Sequence, residues 1–280
     1  MRAAPRAVFL APLNLLQSVF SVLFPSDCRL CQTSLNNISR IPVCDECLAE
    51  IHPTRAPQCV LCGDRLAAAA LLMGDGRCSN CRDSAPDFDR ALSFGEYEAG
   101  LRGLIHLLKY ERVTPVAAPL GRMLAHTMTE LSGSANAALL VIPVPLHKGR
   151  RRSRGFNQSE LLAHAAVSCL PDKLEVLNGA LLRQRDTVSQ VGLSREERIQ
   201  NVRDAFCVAQ PGRVNGRDIL LVDDVMTTGT TLSECARVLK QAGAKRVWAA
   251  TVARAYDGAS LTAADPGEEE ETEVVVMASV

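Results

Sequence analysis

From about residue 88 onward, short apolar runs alternate with longer amphipathic stretches. Residues 138–144, 218–222 and 247–253 are nearly continuous Val, Ile, Leu and Ala, the pattern of strands buried on both faces. Between and around them, apolar residues recur at helical spacing over 101–110, 120–131, 158–170 and 231–242, the last stopped by Gly243. Alternating strands and helices predict an α/β domain built on a parallel sheet, over residues 88–255. In such sheets ligands bind beyond the carboxyl ends of the strands. The segments after Val144 and Val222 are therefore the places to search.

The flanks follow other patterns. Phe9, Leu13, Leu16, Phe20 and Leu23 recur at helical spacing, which predicts an amphipathic helix within residues 1–27 that packs on the body. Pro12, Asn14, Gln17, Ser18 and Ser21 make this stretch too polar for a membrane span, and no small-residue cleavage site follows it. A cytoplasmic protein without stable membrane insertion is expected. Residues 256–280 are acidic and read as a solvated, disordered tail.

Residues 28–87 hold eight of the eleven cysteines. They form four Cys-x-x-Cys pairs: Cys28/Cys31, Cys44/Cys47, Cys59/Cys62 and Cys78/Cys81. Two such turns bring four thiolates to one metal at about 2.3 Å, so four turns suit two structural zinc sites of a double ribbon. A disulfide framework belongs to exported chains, and four redox pairs in series are implausible. Sequential pairing, the first four cysteines on one zinc and the last four on another, is the simplest arrangement.

Charge sharpens the picture of the α/β part. The whole chain is neutral, yet residues 88–255 hold 23 Lys and Arg against 16 Asp and Glu, so anionic ligands belong there. Aromatic residues are only 4%, which argues against a base-stacking nucleic-acid groove. After the strand ending at Val222 come Asp223 and Asp224. Val225 and Met226 follow, then Thr227, Thr228, Gly229, Thr230 and Thr231 open a helix. A helix N-terminus with small hydroxylated residues and a glycine offers backbone N–H groups to a phosphate. No P-loop lysine is present, so a nucleoside triphosphate is disfavoured. Paired carboxylates accept from ribose hydroxyls, so the combination describes a phosphorylated ribose. After the other strand lie Lys148, Arg150, Arg151, Arg152 and Arg154, five basic residues in seven. They suit either a diphosphate or a nucleic-acid face.

These residues resemble the ComF family of competence-related proteins, which join an N-terminal double zinc ribbon to a type I phosphoribosyltransferase domain. The resemblance rests on the four Cys pairs, Leu108-Lys109-Tyr110, Pro143-Val144-Pro145 and Arg154-Gly155-Phe156-Asn157-Gln158. It continues through Arg183, Thr187, Gln190, Arg198, Asn201 and Val202 to Asp223-Asp224-Val225-Met226-Thr227-Thr228-Gly229. It implies a five-stranded parallel core with a small hood, phosphoribosyl pyrophosphate (PRPP) as ligand, magnesium bridging the diphosphate and ribose, and a role in DNA uptake.

On this reading Asp223 and Asp224 hold the ribose hydroxyls and residues 227–231 the 5′-phosphate. Lys148, Arg151 and Arg154 hold the diphosphate, with Lys109 either a further anion contact or a solvated helix residue. The polar stretch 183–201 resembles a loop that closes over the site. Three activities stay open: phosphoribosyl transfer to an unidentified acceptor, PRPP binding without catalysis, and single-stranded DNA handling alone or with DNA-uptake proteins.

Overall fold

The structure is a computed structural model that describes residues 26–35, 39–133, 139–170, 174–185 and 195–256. The predicted N-terminal helix, the acidic tail and the middle of the 183–201 stretch lie outside these residues. The chain divides into two compact units, Met1–Ile51 and His52–Val280, and the break falls between the second and third Cys pairs.

In the first unit, β1 (Ser26–Asp27) and β2 (Ser34–Leu35) pair antiparallel, and α1 (Asp45–Ala49) follows. Both Cys-x-x-Cys turns flank these elements, and Cys44 caps α1 by accepting from the Cys47 N–H.

The second unit begins with α2 (Ala68–Leu72) and α3 (Ser79–Asp83), which carry the other two Cys pairs around them. The α/β part then runs through β3 (Arg90–Glu96), α4 (Ala99–Lys109), a 3-10 turn at Thr114–Val116, α5 (Ala117–Ser132) and β4 (Leu140–Pro143). It continues with α6 (Lys148–Arg154), α7 (Gln158–Val167), β5 (Glu175–Val176), β6 (Leu181–Arg183), α8 (Arg195–Val202) and β7 (Phe206–Val208). It closes with α9 (Pro211–Val214), β8 (Asp218–Met226), α10 (Thr230–Gln241) and β9 (Arg246–Arg254).

Five strands form one parallel sheet in the order β3-β9-β8-β4-β5. The three predicted apolar runs are its central strands, and they are buried almost throughout because helices cover both faces. Ile219, Leu221, Val247 and Ala249 share a core with Leu232, Cys235 and Leu239 of α10. Helices α5 and α7 also pack on the sheet and on each other. Gly121 permits that approach, since a Cβ there would lie 2.5 Å from the Ala165 Cβ. A separate antiparallel pair, β6 with β7, stands outside the sheet.

Two local features differ from the sequence reading. The strand ending at Val222 was expected to stop before the carboxylates, but β8 runs on to Met226, so Asp223 and Asp224 are strand residues. The basic segment after Val144, which the sequence placed only by its position beyond a strand, is a helix of about two turns, Lys148–Arg154. His147 caps its start by accepting from the Gly149 N–H, and Gly155 ends it at φ 84°, a left-handed C-cap that favours glycine. Its lack of apolar residues hid it from a search for hydrophobic periodicity.

Candidate phosphoribose site and cysteine clusters

The carboxyl ends of β4 and β8 open into a cavity of about 230 Å³. Because β8 continues through the acid pair, the two carboxylates point opposite ways. Asp223 accepts from the Ser159 hydroxyl of α7 at 2.8 Å and from the Asp224 N–H at 3.0 Å. Asp224 lies 2.8 Å from the Lys109 ammonium at the end of α4. All three line the cavity.

Their electrostatics are coupled. Burial and the charge of Asp224 push the Asp223 carboxyl up to about 7, outweighing the Ser159 hydrogen bond and Lys109. Burial alone would lower the pKa of Lys109, but the Asp224 carboxylate holds it above the usual lysine range. Lys109 is therefore a half-buried partner of the acid pair, held in its charged form by Asp224, and not a solvated helix residue.

The segment from Thr227 to Thr231 leaves β8 and enters α10. Gly229 sits at the helix N-cap with φ 78°, a conformation other residues rarely adopt. A Cβ there would also lie 2.6 Å from the Met226 Cε. Thr228 and Thr230 share a hydroxyl–hydroxyl hydrogen bond at 3.2 Å. Thr227, Gly229, Thr230 and Thr231 line the 230 Å³ cavity. Thr228 faces a neighbouring cavity of about 670 Å³, whose wall also contains Thr227, Gly229 and Thr230. The loop thus separates two spaces.

Of the predicted diphosphate residues, Arg154 lines the 230 Å³ cavity. Its guanidinium donates to Gln158 at 2.8 Å and sits 5.7 Å above the Tyr110 ring. Lys148 and Arg151 do not line it. Lys148 is exposed, and Arg151 turns to Glu160 with 59% of its side chain exposed. Arg150 takes the inward place that was assigned to Arg151. Four residues apart on a helix, Arg150 and Arg154 share a face, so a helical reading would have paired them. Arg183 and Arg198 also line the cavity, and Arg198 is only 4% exposed. Ser159 and Tyr97 are further residues that sequence patterning did not single out.

The eight cysteines of the Cys-x-x-Cys pairs meet in two sets of four, Cys28, Cys31, Cys44 and Cys47, and Cys59, Cys62, Cys78 and Cys81. Within each set all four sulfurs lie within 4.8 Å of one another. Tetrahedral zinc with bonds of about 2.3 Å needs thiolates roughly 3.8 Å apart. The Cys31–Cys44 and Cys62–Cys78 sulfurs are 3.6 Å apart and Cys28–Cys47 are 3.9 Å apart, so both sets fit structural zinc in sequential pairing.

Comparison with known proteins agrees with this fold. The model of the double zinc ribbon domain matches residues 19–85, and that of the phosphoribosyl transferase domain matches residues 162–274. Competence protein F of Haemophilus influenzae is 31% identical over 231 residues, covering 81% of this chain and 96% of the relative. This chain belongs to the ComF family. The DNA utilization protein YhgH of Salmonella typhimurium is 32% identical over 225 residues, covering 80% of this ComF protein and 94% of the relative. Competence protein ComFC of Streptococcus pneumoniae is 35% identical over 106 residues, 38% of this chain and 44% of its own. The parallel five-stranded sheet with a Cys-rich N-terminal region is thus the expected ComF architecture. Among the described residues, no helix is long and apolar enough to cross a membrane.

Proposed function

We propose that this ComF protein binds PRPP with magnesium in the 230 Å³ cavity and transfers its phosphoribosyl group to an acceptor during the handling of incoming DNA. One arrangement carries the reading: an acid pair at the end of β8 immediately precedes a threonine-glycine loop at the N-terminus of α10. Lys109, Arg150, Arg154, Arg183 and Arg198 surround that pair. Carboxylates beside a phosphate-binding loop suit ribose hydroxyls and a 5′-phosphate, and five cations suit a further polyanion. The two domain matches and the names of the relatives, competence and DNA utilization, support the same reading. A cytoplasmic location goes with it, because free thiolates persist in a reducing compartment.

The chemistry follows from these positions. Residues 227–231 fix the 5′-phosphate, and Asp223 and Asp224 accept from the ribose hydroxyls. Magnesium, bound with PRPP, would neutralise charge between diphosphate and ribose. Cleavage of the bond from C1′ to the diphosphate leaves positive character on the ribose and negative charge on the departing group. Arg150 and Arg154 stabilise that leaving charge, and the site as a whole aligns the acceptor for attack at C1′.

A non-catalytic reading is favoured by a different observation. Among the described residues lining the cavity, Asp223 and Asp224 are the only carboxylates and no histidine is present. Both carboxylates already have partners, so among the described residues the cavity holds no unpartnered carboxylate or histidine to deprotonate an acceptor. A PRPP-binding sensor or adaptor needs none. The exposed Lys148, Arg151 and Arg152 could still meet single-stranded DNA, with weak and salt-sensitive binding.

The decisive measurement is thermal unfolding with PRPP and magnesium. Ligand at 100 times its dissociation constant should add about 2.7 kcal/mol of stability. No shift at millimolar PRPP would remove both PRPP readings. Pyrophosphate release across a panel of bases and amines then separates transferase from sensor.

A further inference from the structure

The second cysteine cluster is built into the same unit as the phosphate loop and touches the elements that carry it. Arg254, only 5% exposed, is the main link. Its Nη1 donates to the Cys62 carbonyl at 2.7 Å, its Nη2 lies 4.0 Å from the Cys62 sulfur, and its Nε lies 3.4 Å from Asp64. In the sheet, Arg254 stands opposite Met226, the residue before Thr227. The next residue, Ala255, donates its N–H to the Met226 carbonyl at 2.9 Å.

Three other ties run the same way. The Ala91 N–H of β3 donates to the Leu61 carbonyl inside the Cys59–Cys62 turn at 2.7 Å. Beyond Cys81, the Asp87 N–H donates to the Ser233 hydroxyl at 2.9 Å, and that hydroxyl donates back to the Asp87 carboxylate at 2.9 Å. Ser233 is in the first turn of α10, and its own N–H donates to the Gly229 carbonyl. Phe88 packs in the core with all four cysteines and approaches Gly229, whose added Cβ would lie 3.6 Å from its ring. The 670 Å³ cavity is lined both by Cys62, Cys81 and Arg254 and by Thr227, Thr228, Gly229 and Thr230.

A zinc bound by four thiolates carries net negative charge, and a buried guanidinium against one thiolate and its carbonyl compensates it. Losing the metal would let the two Cys-x-x-Cys turns open. Arg254 would then lose its anchor at the strand end that holds Met226, and the loop beyond Met226 would lose its fixed position.

We infer that the second cysteine cluster is part of the phosphate site, with Arg254 as a positioning residue through which bound metal and bound phosphoribose stabilise each other. The inference rests on the PRPP reading above. Coupling between binding sites is reciprocal, so PRPP must raise zinc affinity at that cluster by the factor by which zinc raises PRPP affinity.

The test is chelator competition on the full chain, measuring the affinity of each of two zincs with and without PRPP and magnesium, alongside calorimetry of PRPP binding. One zinc is expected to tighten about tenfold, within the usual span of about 5–150-fold for coupled sites, while the other stays unchanged. A Cys44→Ser chain, which lacks the first site, should show only the PRPP-sensitive zinc. Arg254→Gln should abolish the tightening, and Arg254→Lys, which keeps the charge but not the forked reach, should restore only part of it. PRPP binding by calorimetry with both zinc affinities unmoved would overturn the inference and leave the proposed function standing. Absence of PRPP binding in calorimetry would instead remove the proposed function and this inference together. Should Arg254→Gln fail to fold, the wild-type and Cys44→Ser titrations alone decide.

Discussion

The two cysteine clusters are the same motif in two different settings. In the first, Cys28 is buried, Cys44 and Cys47 are half-buried and Cys31 is exposed. It belongs to the small unit with two-residue strands, where the metal itself must supply most of the order. In the second, all four cysteines are between 1% and 6% exposed and share a core with Phe88, Ala91 and the inner residues of the sheet. Spacing and ligand type are alike, so they cannot tell the two roles apart. What differs is the company each cluster keeps. The first looks after its own fold, and the second is mortised into the domain that carries the candidate site.

That contrast can be broken most forcefully at the ligands. Cys81→Ser should lower the main unfolding transition by on the order of 10 °C or more, because several kcal/mol are lost and each shifts a domain of this size by about 2–4 °C. Cys31→Ser should leave the same transition within about 2 °C. Scanning calorimetry of both variants checks this, and equal shifts would erase the distinction.

A second measure approaches from the carboxylates. Asp223→Asn together with Asp224→Asn should weaken PRPP binding at least about 100-fold, as two charge-assisted contacts are lost. Zinc content should stay at two per chain, by metal analysis of the purified protein. Loss of a zinc there would mean that the coupling to the second cluster runs even through the fold itself.

The third effect is a pH dependence. The Asp223 carboxyl is raised to about 7 in the folded protein, above its ordinary range near 4. The folded state therefore binds the extra proton between these values. The resulting stability is fully present below pH 4 and is lost as pH rises to about 7. PRPP with magnesium needs the carboxylate, so its affinity should run the other way. It should fall about fivefold from pH 7 to pH 6 and level off above pH 8, as titration calorimetry would show. A flat profile between pH 6 and 7 would place the binding charge elsewhere.

The smallest expected effects separate the two faces of α6. Arg150→Ala and Arg154→Ala should each cost about tenfold in PRPP affinity. Arg151→Ala should cost less than about twofold, because its exposed pair with Glu160 contributes little. Equal losses from all three would return the segment to a general anionic-ligand patch.

The central strands were legible because residues 140–143 and 219–222 are uninterrupted apolar runs, and only a doubly covered strand needs that. The cysteine sets were legible from spacing alone. Strand β3 escaped notice because Ser93 and Gly95 break its apolar run. The extension of β8 escaped because two carboxylates are poor strand formers, yet that extension is what sends Asp223 to Ser159 and Asp224 to Lys109. The side of α6 that faces the cavity was also illegible, because Arg150 and Arg151 are chemically identical and only helical phase separates them. The break between Ile51 and His52 has no signature in the cysteine spacing.

The Lys109–Asp224 contact sets the terms on which the cavity can be filled. Asp224 is buried and Lys109 half-buried, so parting them would leave the carboxylate with little solvent to compensate its charge. A ligand that engages Asp224 must at the same moment present an anion to Lys109. Admission is thus an exchange of partners, and it favours a molecule that carries a cation and a polyanion together over any sugar or phosphate arriving alone.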